Sequence, residues 1–382
     1  MTGPDEHDRC MSPTFKPISL VRFTAAASRT HIRRSSTIES VVKGVQTTIS
    51  QNLGGVAQKL APADQQFSLE QVPDQSGKVA VVTGGSEGIG FGSSHTLLSK
   101  NISKLFIISL SKEIVDGAKK SIAGELGQEK ADRIHWIQCD LTDWKRVTEA
   151  AKEISDSTDR LDILINNAAR GIMTYQLTDY GVEQHMALNL IGHATLTSHL
   201  MPLLKKTAEK GDKVRIVNLA SNAHQNAPND TKFESLDELN TDLGAMGQYG
   251  RSKLADLLYA RYLARHLTPS HPNILANAVH PGIVKTRQSE ELIHEPFPVA
   301  GYAMSTGMSP FKKSIFEGCV SSMFAATTTE ESGQYICPPA AIEPGSDLAQ
   351  DEALGEQMMK LASEIVQQKT NNVKDGCPMK FY

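Results

Sequence analysis

Hydrophobic positions fall into two kinds of run along most of the chain. After Gly77, short and nearly continuous apolar runs are separated by amphipathic stretches of helical length. Because a strand covered on both faces is apolar throughout, the short runs predict buried parallel strands. The predicted strands are 79–82, 105–108, 134–138, 163–165, 214–219 and 275–279.

The amphipathic stretches between these runs predict helices at 90–100, 113–126, 144–156, 179–206 and 250–266. Alternation of strand and helix favours right-handed βαβ units. The predicted fold is therefore an α/β fold with a single doubly wound Rossmann-type parallel sheet and helices on both faces. Functional groups are expected beyond the carboxyl ends of the strands.

The two ends of the chain depart from this pattern. We divide the sequence into an N-terminal extension (1–72), a dinucleotide-binding catalytic domain (73–345) and a C-terminal helix and tail (346–382). Apolar residues from Ile38 to Leu60 recur at helical spacing, which predicts a helix packed on the main domain; a membrane-surface helix is the less favoured alternative. Residues 348–368 predict a closing amphipathic helix, followed by a frayed polar tail.

Composition excludes several classes of protein. Of 382 residues, 40% are hydrophobic and 21% charged, and the net charge of -4 gives no reason to expect nucleic acid as a partner. The five cysteines form no C-x-x-C pair, which argues against a disulfide framework or structural zinc and favours a reducing compartment. The sequence has no run of 18 apolar residues, so no transmembrane segment is predicted. It also has no H-E-x-x-H motif, so no metal site is predicted.

The N-terminal extension resembles a mitochondrial transit peptide in composition. Between Arg9 and Ile38 there are six Lys/Arg, nine Ser/Thr and no acid. Asp5, Glu6 and Asp8 precede this stretch, and such peptides avoid acids, so a disordered or packing arm is the alternative. Cytoplasmic and mitochondrial localisation both stay open, as does cleavage of the extension.

A glycine-rich segment, Thr83 to Gly90, follows the first predicted strand directly. Glycines there remove the side chains that would keep a pyrophosphate from the backbone and from the next helix N-terminus. The segment predicts a dinucleotide site; a tight strand-to-helix turn without a ligand is the alternative.

Tyr249 and Lys253 stand four residues apart on a predicted helix and therefore share one face. A neighbouring cation favours the phenolate form of a tyrosine, which suits it to act as an acid or a base. Ser221 follows the strand 214–219, so its hydroxyl is expected near Tyr249 at the carboxyl edge of the sheet.

These motifs together resemble the short-chain dehydrogenase/reductase family from Gly77 to about Pro338. The matching segments are Thr83 to Gly90 (T-G-x-x-x-G-I-G), Asp140-Leu141 (D-L), Asn166 to Ala169 (N-N-A-G, with alanine replacing the last glycine), Asn189, Ser221, the Tyr249/Lys253 pair and Pro281 to Thr286 (P-G-x-x-x-T). Asn189 to His193 reads N-x-x-G-H, as in retinol-dehydrogenase-like members, which act on lipophilic alcohols and carbonyls.

The resemblance implies an NAD(P)-dependent oxidoreductase that transfers hydride between nicotinamide and a lipophilic carbonyl or alcohol. It assigns Tyr249 as general acid/base, Ser221 to the substrate oxygen, Lys253 to the phenolate and the nicotinamide ribose, and Asn189 to a proton-relay water. The implied cofactor-binding residues are Gly84, Ser86, Gly88, Ile89, Gly90, Ser109, Ser111, Lys112, Asp140, Leu141, Asn167, Ala168, Tyr249, Lys253, Pro281, Gly282, Val284 and Thr286.

The choice between NADP and NAD depends on the end of the second predicted strand. An NAD site usually places an acid there, whereas the sequence has Ser109, Ser111 and Lys112, which could bind a 2′-phosphate. We expect NADP; Glu113 and Glu87 keep NAD open.

Other interpretations remain open. A catalytically silent dinucleotide-binding sensor or scaffold would keep the fold, as would an isomerase or dehydratase that reuses Tyr249. The family resemblance implies that residues 295–316 form the substrate-binding lid, and their apolar side chains suit a pocket there; core or dimer packing is the alternative. The expected partner is a small molecule, and a homo-oligomer is not excluded.

Overall fold

The computed structural model describes residue 42 and residues 44–297 and 312–370. The predicted transit peptide, the central part of the predicted lid and the predicted frayed tail lie outside the described residues. The described residues from Gln46 onward form one compact unit.

Within the described residues, eight strands form one sheet in the order β3-β2-β1-β4-β5-β6-β7-β8. Strands β1 to β7 are parallel, and β8 pairs antiparallel with β7 at the edge. The predicted doubly wound α/β fold is therefore confirmed. The strands are β1 (Val79–Thr83), β2 (Lys104–Ser109), β3 (Ile134–Gln138), β4 (Ile163–Asn166), β5 (Val214–Leu219), β6 (Ile274–Val279), β7 (Tyr335–Cys337) and β8 (Ala341–Glu343).

Helices cover both faces of the sheet. They are α1 (Gly88–Ser99), α2 (Lys112–Leu126), α3 (Gln128–Ala131), α4 (Trp144–Ser157), α5 (His193–Ala208), α6 (Leu236–Leu239), α7 (Gly244–Leu267), α8 (Arg287–Glu290), α9 (Ile315–Gly318), α10 (Val320–Thr327), α11 (Asp347–Gln350) and α12 (Glu352–Thr370). A π-helical turn, Met186–Gly192, runs directly into α5.

Two apolar layers hold the sheet between these helices. Successive strand residues face opposite sides, so Val79 and Val81 of β1 join one layer, while Ala80 and Val82 join the other. The first layer includes side chains of α4, α5, α7 and α12; the second includes side chains of α1, α2 and α10. All five residues of β1 are buried, which explains its continuous apolar run.

The helix predicted for residues 179–206 begins later than expected. Leu177 and Glu183 form an isolated antiparallel bridge, and the turn between them uses Gly181 at a φ of 68°. The buried Glu183 carboxylate then accepts hydrogen bonds from the backbone N–H of His185 and Met186. That carboxylate satisfies the first amides of the helical segment and so sets its start.

The closing helix is also divided. Ser346 caps α11 by accepting a hydrogen bond from the Ala349 N–H, and Asp351 caps α12 by accepting one from the Leu354 N–H. Two caps five residues apart give two helices in place of one. Helix α12 packs against α7.

From Gln46 onward, the described part of the N-terminal extension belongs to the same compact unit as the main domain. The helix predicted to run to Leu60 ends at Asn52, before Gly54 and Gly55. Residues 46–52 are helical, and three 3-10 helices follow, at Gly55–Leu60, Ala63–Gln65 and Leu69–Gln71. Among the described residues, none of the helices has the length and apolar character that crossing a membrane requires.

Candidate active site

A cavity of about 490 Å³ opens at the carboxyl ends of the central strands. Most of the predicted site residues line it, although they come from six separate segments of the chain. These are Gly84, Ser86, Gly88, Ile89, Ser109, Ser111, Asp140, Leu141, Asn167, Ala168, Tyr249, Lys253, Pro281 and Thr286. The fold therefore brings the glycine loop and the Tyr249/Lys253 pair to one place.

The glycine loop is shaped for close approach of a ligand to the backbone. Gly84 has a φ of 61°, a conformation that favours glycine. A Cβ on Gly90 would lie 2.1 Å from the Gly84 carbonyl oxygen, so a side chain there would force the loop open. Gly90 thus shapes the loop from outside the cavity lining. The loop leads into the 12-residue helix α1, and the N-terminus of this helix, which is its positive pole, lies at the cavity.

Thr83 ties the glycine loop to the turn after β4. Its hydroxyl oxygen accepts hydrogen bonds from the backbone N–H of Asn167 and Ala168, both at 2.9 Å. The Asn167 side-chain amide donates back to the Thr83 carbonyl at 2.8 Å. Ala169, which replaces the last glycine of the N-N-A-G pattern, does not adopt a positive φ, so its methyl group causes no backbone strain.

Lys253 is buried, and its ammonium is held by two oxygen atoms. Nζ donates to the Leu219 carbonyl at 2.7 Å and to Oδ2 of Asp256 at 2.9 Å. Nζ also lies 5.7 Å from the centre of the Tyr249 ring. Burial alone would lower the pKa of Lys253, but attraction to Asp256 and Tyr249 outweighs it and raises that pKa above its ordinary value.

Ser221 lies at the start of the 3-10 helix Asn222–Asn226, which it caps. Its Oγ accepts a hydrogen bond from the Ala223 N–H at 3.2 Å and donates to Oδ1 of Asn222 at 3.4 Å. Ser221 does not line the cavity, whereas its neighbour Ala220 does. The predicted contact between Ser221 and a substrate oxygen stays a prediction.

The side chain of Asn189 is occupied by the protein. Its Oδ1 accepts from the Arg170 N–H at 2.7 Å, and its two amide hydrogens point to the Arg170 carbonyl and to Oγ of Ser252. Asn189 lies in the π-helical turn, outside the cavity lining. The predicted proton-relay water at Asn189 stays a prediction.

His193 links Asn189 to the glycine loop. Its Nδ1 lies 2.8 Å from the Asn189 carbonyl, and its Nε2 lies 2.8 Å from the Thr83 hydroxyl. The carbonyl can only accept, so Nδ1 carries the proton and Nε2 accepts from Thr83. Burial, together with repulsion from Lys253, lowers the pKa of His193 to about 4.

Three further predicted residues lie outside the cavity lining. Lys112 pairs with Oδ2 of Asp116 at 2.5 Å, within helix α2. Gly282 packs against the Gln51 carbonyl and the Lys313 side chain, and Val284 packs against Gly318. Because Lys112 pairs with its i,i+4 partner on the exposed helix face, its predicted contact with a 2′-phosphate stays a prediction.

The structure adds residues that the sequence analysis did not assign to the site. Arg287 and Glu87 both line the cavity, and Nη1 of Arg287 lies 3.9 Å from Oε2 of Glu87. Leu110, directly after β2, lines the end near Ser109 and Ser111. Asp256 could have been found from the sequence, since it lies three residues after Lys253 on the same helix face.

Cys139 lines the cavity but is a poor nucleophile. Burial raises the pKa of its thiol to about 12, far above the range of a reactive thiolate. In the part of the chain that the structure describes, no cluster of three or more His, Cys, Asp or Glu side chains is placed to hold a metal ion.

Comparisons with known proteins agree with these motifs. The family model for short chain dehydrogenase matches residues 78–232. The bli-4 protein of Neurospora crassa, which carries the name of a mitochondrial oxidoreductase, is 50% identical over 375 residues, covering 96% of this chain and 90% of that protein. A polyprenol dehydrogenase of Danio rerio is 31% identical, covering 78% of this chain and 90% of that protein. The predicted family is confirmed.

Solved structures share the fold. A crystal structure of a protein from Mycobacterium paratuberculosis has a TM-score of 0.60 at 22% identity and covers 79% of this chain and 97% of its own. The RhlG/NADP active-site complex of Pseudomonas aeruginosa has a TM-score of 0.52 at 25% identity and covers 69% of this chain and 95% of its own.

The neutral His193 makes stability depend on pH. An unfolded histidine titrates near 6.5, and the folded one near about 4, so the unfolded state binds more protons between these values. Stability is therefore complete above about pH 6.5 and is lost as the pH falls toward 4. Replacing His193 by Gln should reduce the fall in the free energy of unfolding between pH 6.5 and 4 by up to ~3 kcal/mol.

Urea unfolding of wild type and His193→Gln across this pH range measures the difference. Both proteins keep a further contribution from His280, because burial lowers the pKa of that histidine to about 3. The variant should therefore still lose stability as the pH falls, but with a shallower slope than wild type. Equal slopes in the two proteins would contradict the assignment of His193 as neutral in the folded state.

Proposed function

The chain belongs to the short-chain dehydrogenase/reductase family, and on that premise we propose that it is an NADP-dependent oxidoreductase of lipophilic carbonyls or alcohols. The observation that carries this proposal is one cavity lined by the glycine loop and by Tyr249 and Lys253. A dinucleotide site and an acid/base group in the same cavity are what hydride transfer requires.

The cavity residues fit a dinucleotide. A Cβ on Gly90 would overlap the Gly84 carbonyl, so the cradle exists only with glycine there. The first turn of α1 would receive the pyrophosphate, Asp140 and Leu141 would border the adenine, and Pro281 and Thr286 would border the nicotinamide. A bound nicotinamide supplies hydride in reduction and accepts it in oxidation.

Tyr249 is the proposed general acid/base. In reduction its hydroxyl donates a proton to the substrate oxygen, and in oxidation its phenolate accepts one. The buried Lys253 ammonium lies beside this tyrosine, with Nζ 5.7 Å from the ring centre, and Asp256 and the Leu219 carbonyl keep the ammonium charged and fixed. Two of its three N–H donors are used there, which leaves one for the nicotinamide ribose.

Ser221 and Asn189 act on either side of this pair. The Ser221 hydroxyl would turn from Asn222 to the substrate oxygen, since a 3.4 Å hydrogen bond is weak and easily exchanged. Asn189 is proposed to hold the turn at Arg170 and helix α7 through Ser252, and so to keep the wall of the cavity in place.

A lipophilic substrate is supported by the relatives and by the lining. The name polyprenol dehydrogenase, carried by relatives from zebrafish and human, describes an enzyme of a long lipophilic alcohol. Leu188, Leu219 and Ala220 provide apolar lining in the same cavity as Tyr249. A small polar substrate would leave this surface in contact with water.

NADP is proposed over NAD because the β2 end of the cavity presents hydroxyl and apolar groups. Among the described residues, that end is lined by Ser109, Leu110, Ser111 and Ile114, without an acid to bind a ribose 2′-hydroxyl. The RhlG structure, 25% identical, is an NADP complex. Arg287, close to Glu87, offsets the negative charge of the loop.

A mitochondrial location is proposed from two observations. Residues 9–38 have the basic, hydroxyl-rich composition of a transit peptide. The Neurospora relative that covers 96% of this chain is named as mitochondrial.

Tyr249→Phe tests the mechanism. Removing the hydroxyl removes the proton donor but no cavity wall, so kcat should fall by about 10²–10³ while NADPH still binds. The measurement is NADPH oxidation with a panel of long-chain aldehydes and ketones, beside NADPH fluorescence titration. Tyr175→Phe is the matched control, because the Tyr175 hydroxyl bonds the Asn240 carbonyl outside the cavity. Turnover by Tyr249→Phe at the level of this control would refute the mechanism.

Leu110→Asp tests the cofactor preference. Leu110 is 59% exposed, so an aspartate there should fold normally, repel a 2′-phosphate and bind a 2′-hydroxyl. Wild type should bind NADPH more tightly than NADH, and the variant should reverse the order. Lys112→Ala is the control and should leave the ratio unchanged, because Lys112 pairs with Asp116. A wild type that prefers NADH would overturn the proposed preference.

A further inference from the structure

The segment 46–55, called here the N-terminal strap, precedes the part of the chain that carries the family motifs. It nevertheless lies against two of their loops. The Asn52 carbonyl accepts a hydrogen bond from the Ile283 N–H at 3.1 Å, within the P-G-x-x-x-T segment. The Asn52 side-chain oxygen Oδ1 accepts one from Nδ2 of Asn222 at 2.9 Å, beside Ser221.

The strap is anchored where it makes these contacts. The ammonium of the buried Lys313 donates to the Ser50 carbonyl at 2.8 Å, near the carboxyl end of the helical residues 46–52, where a cation is favourable. The Lys313 N–H donates to the Ile283 carbonyl at 2.8 Å, and the Gly55 N–H donates to Oε1 of Glu317 at 2.7 Å. The strap, the P-G loop and the chain at Lys313 therefore form one hydrogen-bonded layer.

Asn222 connects this layer to Ser221. Its Oδ1 accepts from the Ser221 hydroxyl at 3.4 Å, and its Nδ2 donates to Asn52. Its backbone N–H donates to Nδ1 of His280, directly before Pro281, at 3.3 Å. With the amide fixed by Asn52, the oxygen of Asn222 faces Ser221. The position of Ser221 Oγ, from which the hydroxyl turns to the substrate oxygen, therefore depends on a residue 169 positions earlier in the chain.

We propose that Asn52 is a positioning residue whose side chain acts through Asn222 on Ser221. The inference rests on the proposed function, in which Ser221 binds the substrate oxygen. Loss of Asn52 leaves the dinucleotide cradle at Gly84 to Gly90 intact, so the effect falls on the chemical step. Cofactor affinity stays close to that of wild type.

The test is Asn52→Leu in the full-length chain, with Asn52→Asp as the conservative variant. Leucine removes the acceptor for Asn222, and kcat with the carbonyl panel should fall about five- to tenfold, the value of one hydrogen bond. Aspartate keeps the acceptor and should restore most of the activity. The Kd for NADPH, measured by fluorescence, should change less than twofold in both variants.

Gln51→Leu is the matched control. It removes a hydrogen bond from the neighbouring side chain to Oε1 of Glu343, at the far edge of the sheet. A purely structural role for the strap would lower kcat equally in Gln51→Leu and Asn52→Leu, which would overturn the proposal. In a Ser221→Ala background, Asn52→Leu should cause no further fall in kcat, and a full additional fall would also overturn it.

Amide hydrogen exchange gives a readout that does not need activity. In Asn52→Leu, exchange at residues 221–226 should become faster than in wild type, and in Gln51→Leu it should not. Wild type without turnover on any carbonyl or alcohol would contradict the proposed function alone. Unchanged exchange in Asn52→Leu would contradict the strap inference alone.

Discussion

Burial of the Lys253 ammonium is the constraint on which the rest of the site depends. A charge removed from water is costly unless oxygen atoms replace the hydration shell. Here the replacements are the Leu219 carbonyl at the end of β5 and the Asp256 carboxylate on the same helix as Lys253. The ammonium therefore fixes the distance between α7 and the sheet, and Tyr249, one turn earlier, is carried to the carboxyl edge with it.

The glycine loop lies in the same cavity as the Tyr249/Lys253 pair because the order of the strands in the sheet reverses at β1. Strands β1 and β4 are neighbours, and their connections leave in opposite directions, which opens a crevice at their carboxyl ends. Thr83, Asn167 and His193 bond the loops on the two sides of that crevice. The glycine loop and the turn after β4 are thus held in one geometry by a set of buried hydrogen bonds.

The sequence predicted the central part of this arrangement well. Six strands were located within one or two residues, because continuous burial makes their apolar runs unambiguous. The three-residue strands β7 and β8 were missed, since so short a run carries no periodic signal. Most cavity residues were also found, because motifs place them at strand ends. The ion pair of Lys112 with Asp116 has a helical i,i+4 spacing, so the sequence could have indicated it. The bond from Asn52 to Asn222 was not found, because a contact between distant segments leaves no spacing to read.

The central claim is that one cavity holds nicotinamide and a carbonyl substrate together beside Tyr249. The most direct measurement uses NADPH deuterated on one face of the nicotinamide C4, with mass spectrometry of the alcohol formed from a lipophilic aldehyde. The account predicts that deuterium from one face only, one atom per molecule, appears on the former carbonyl carbon. Tight NADPH binding without deuterium transfer to any member of a broad aldehyde and ketone panel would contradict it.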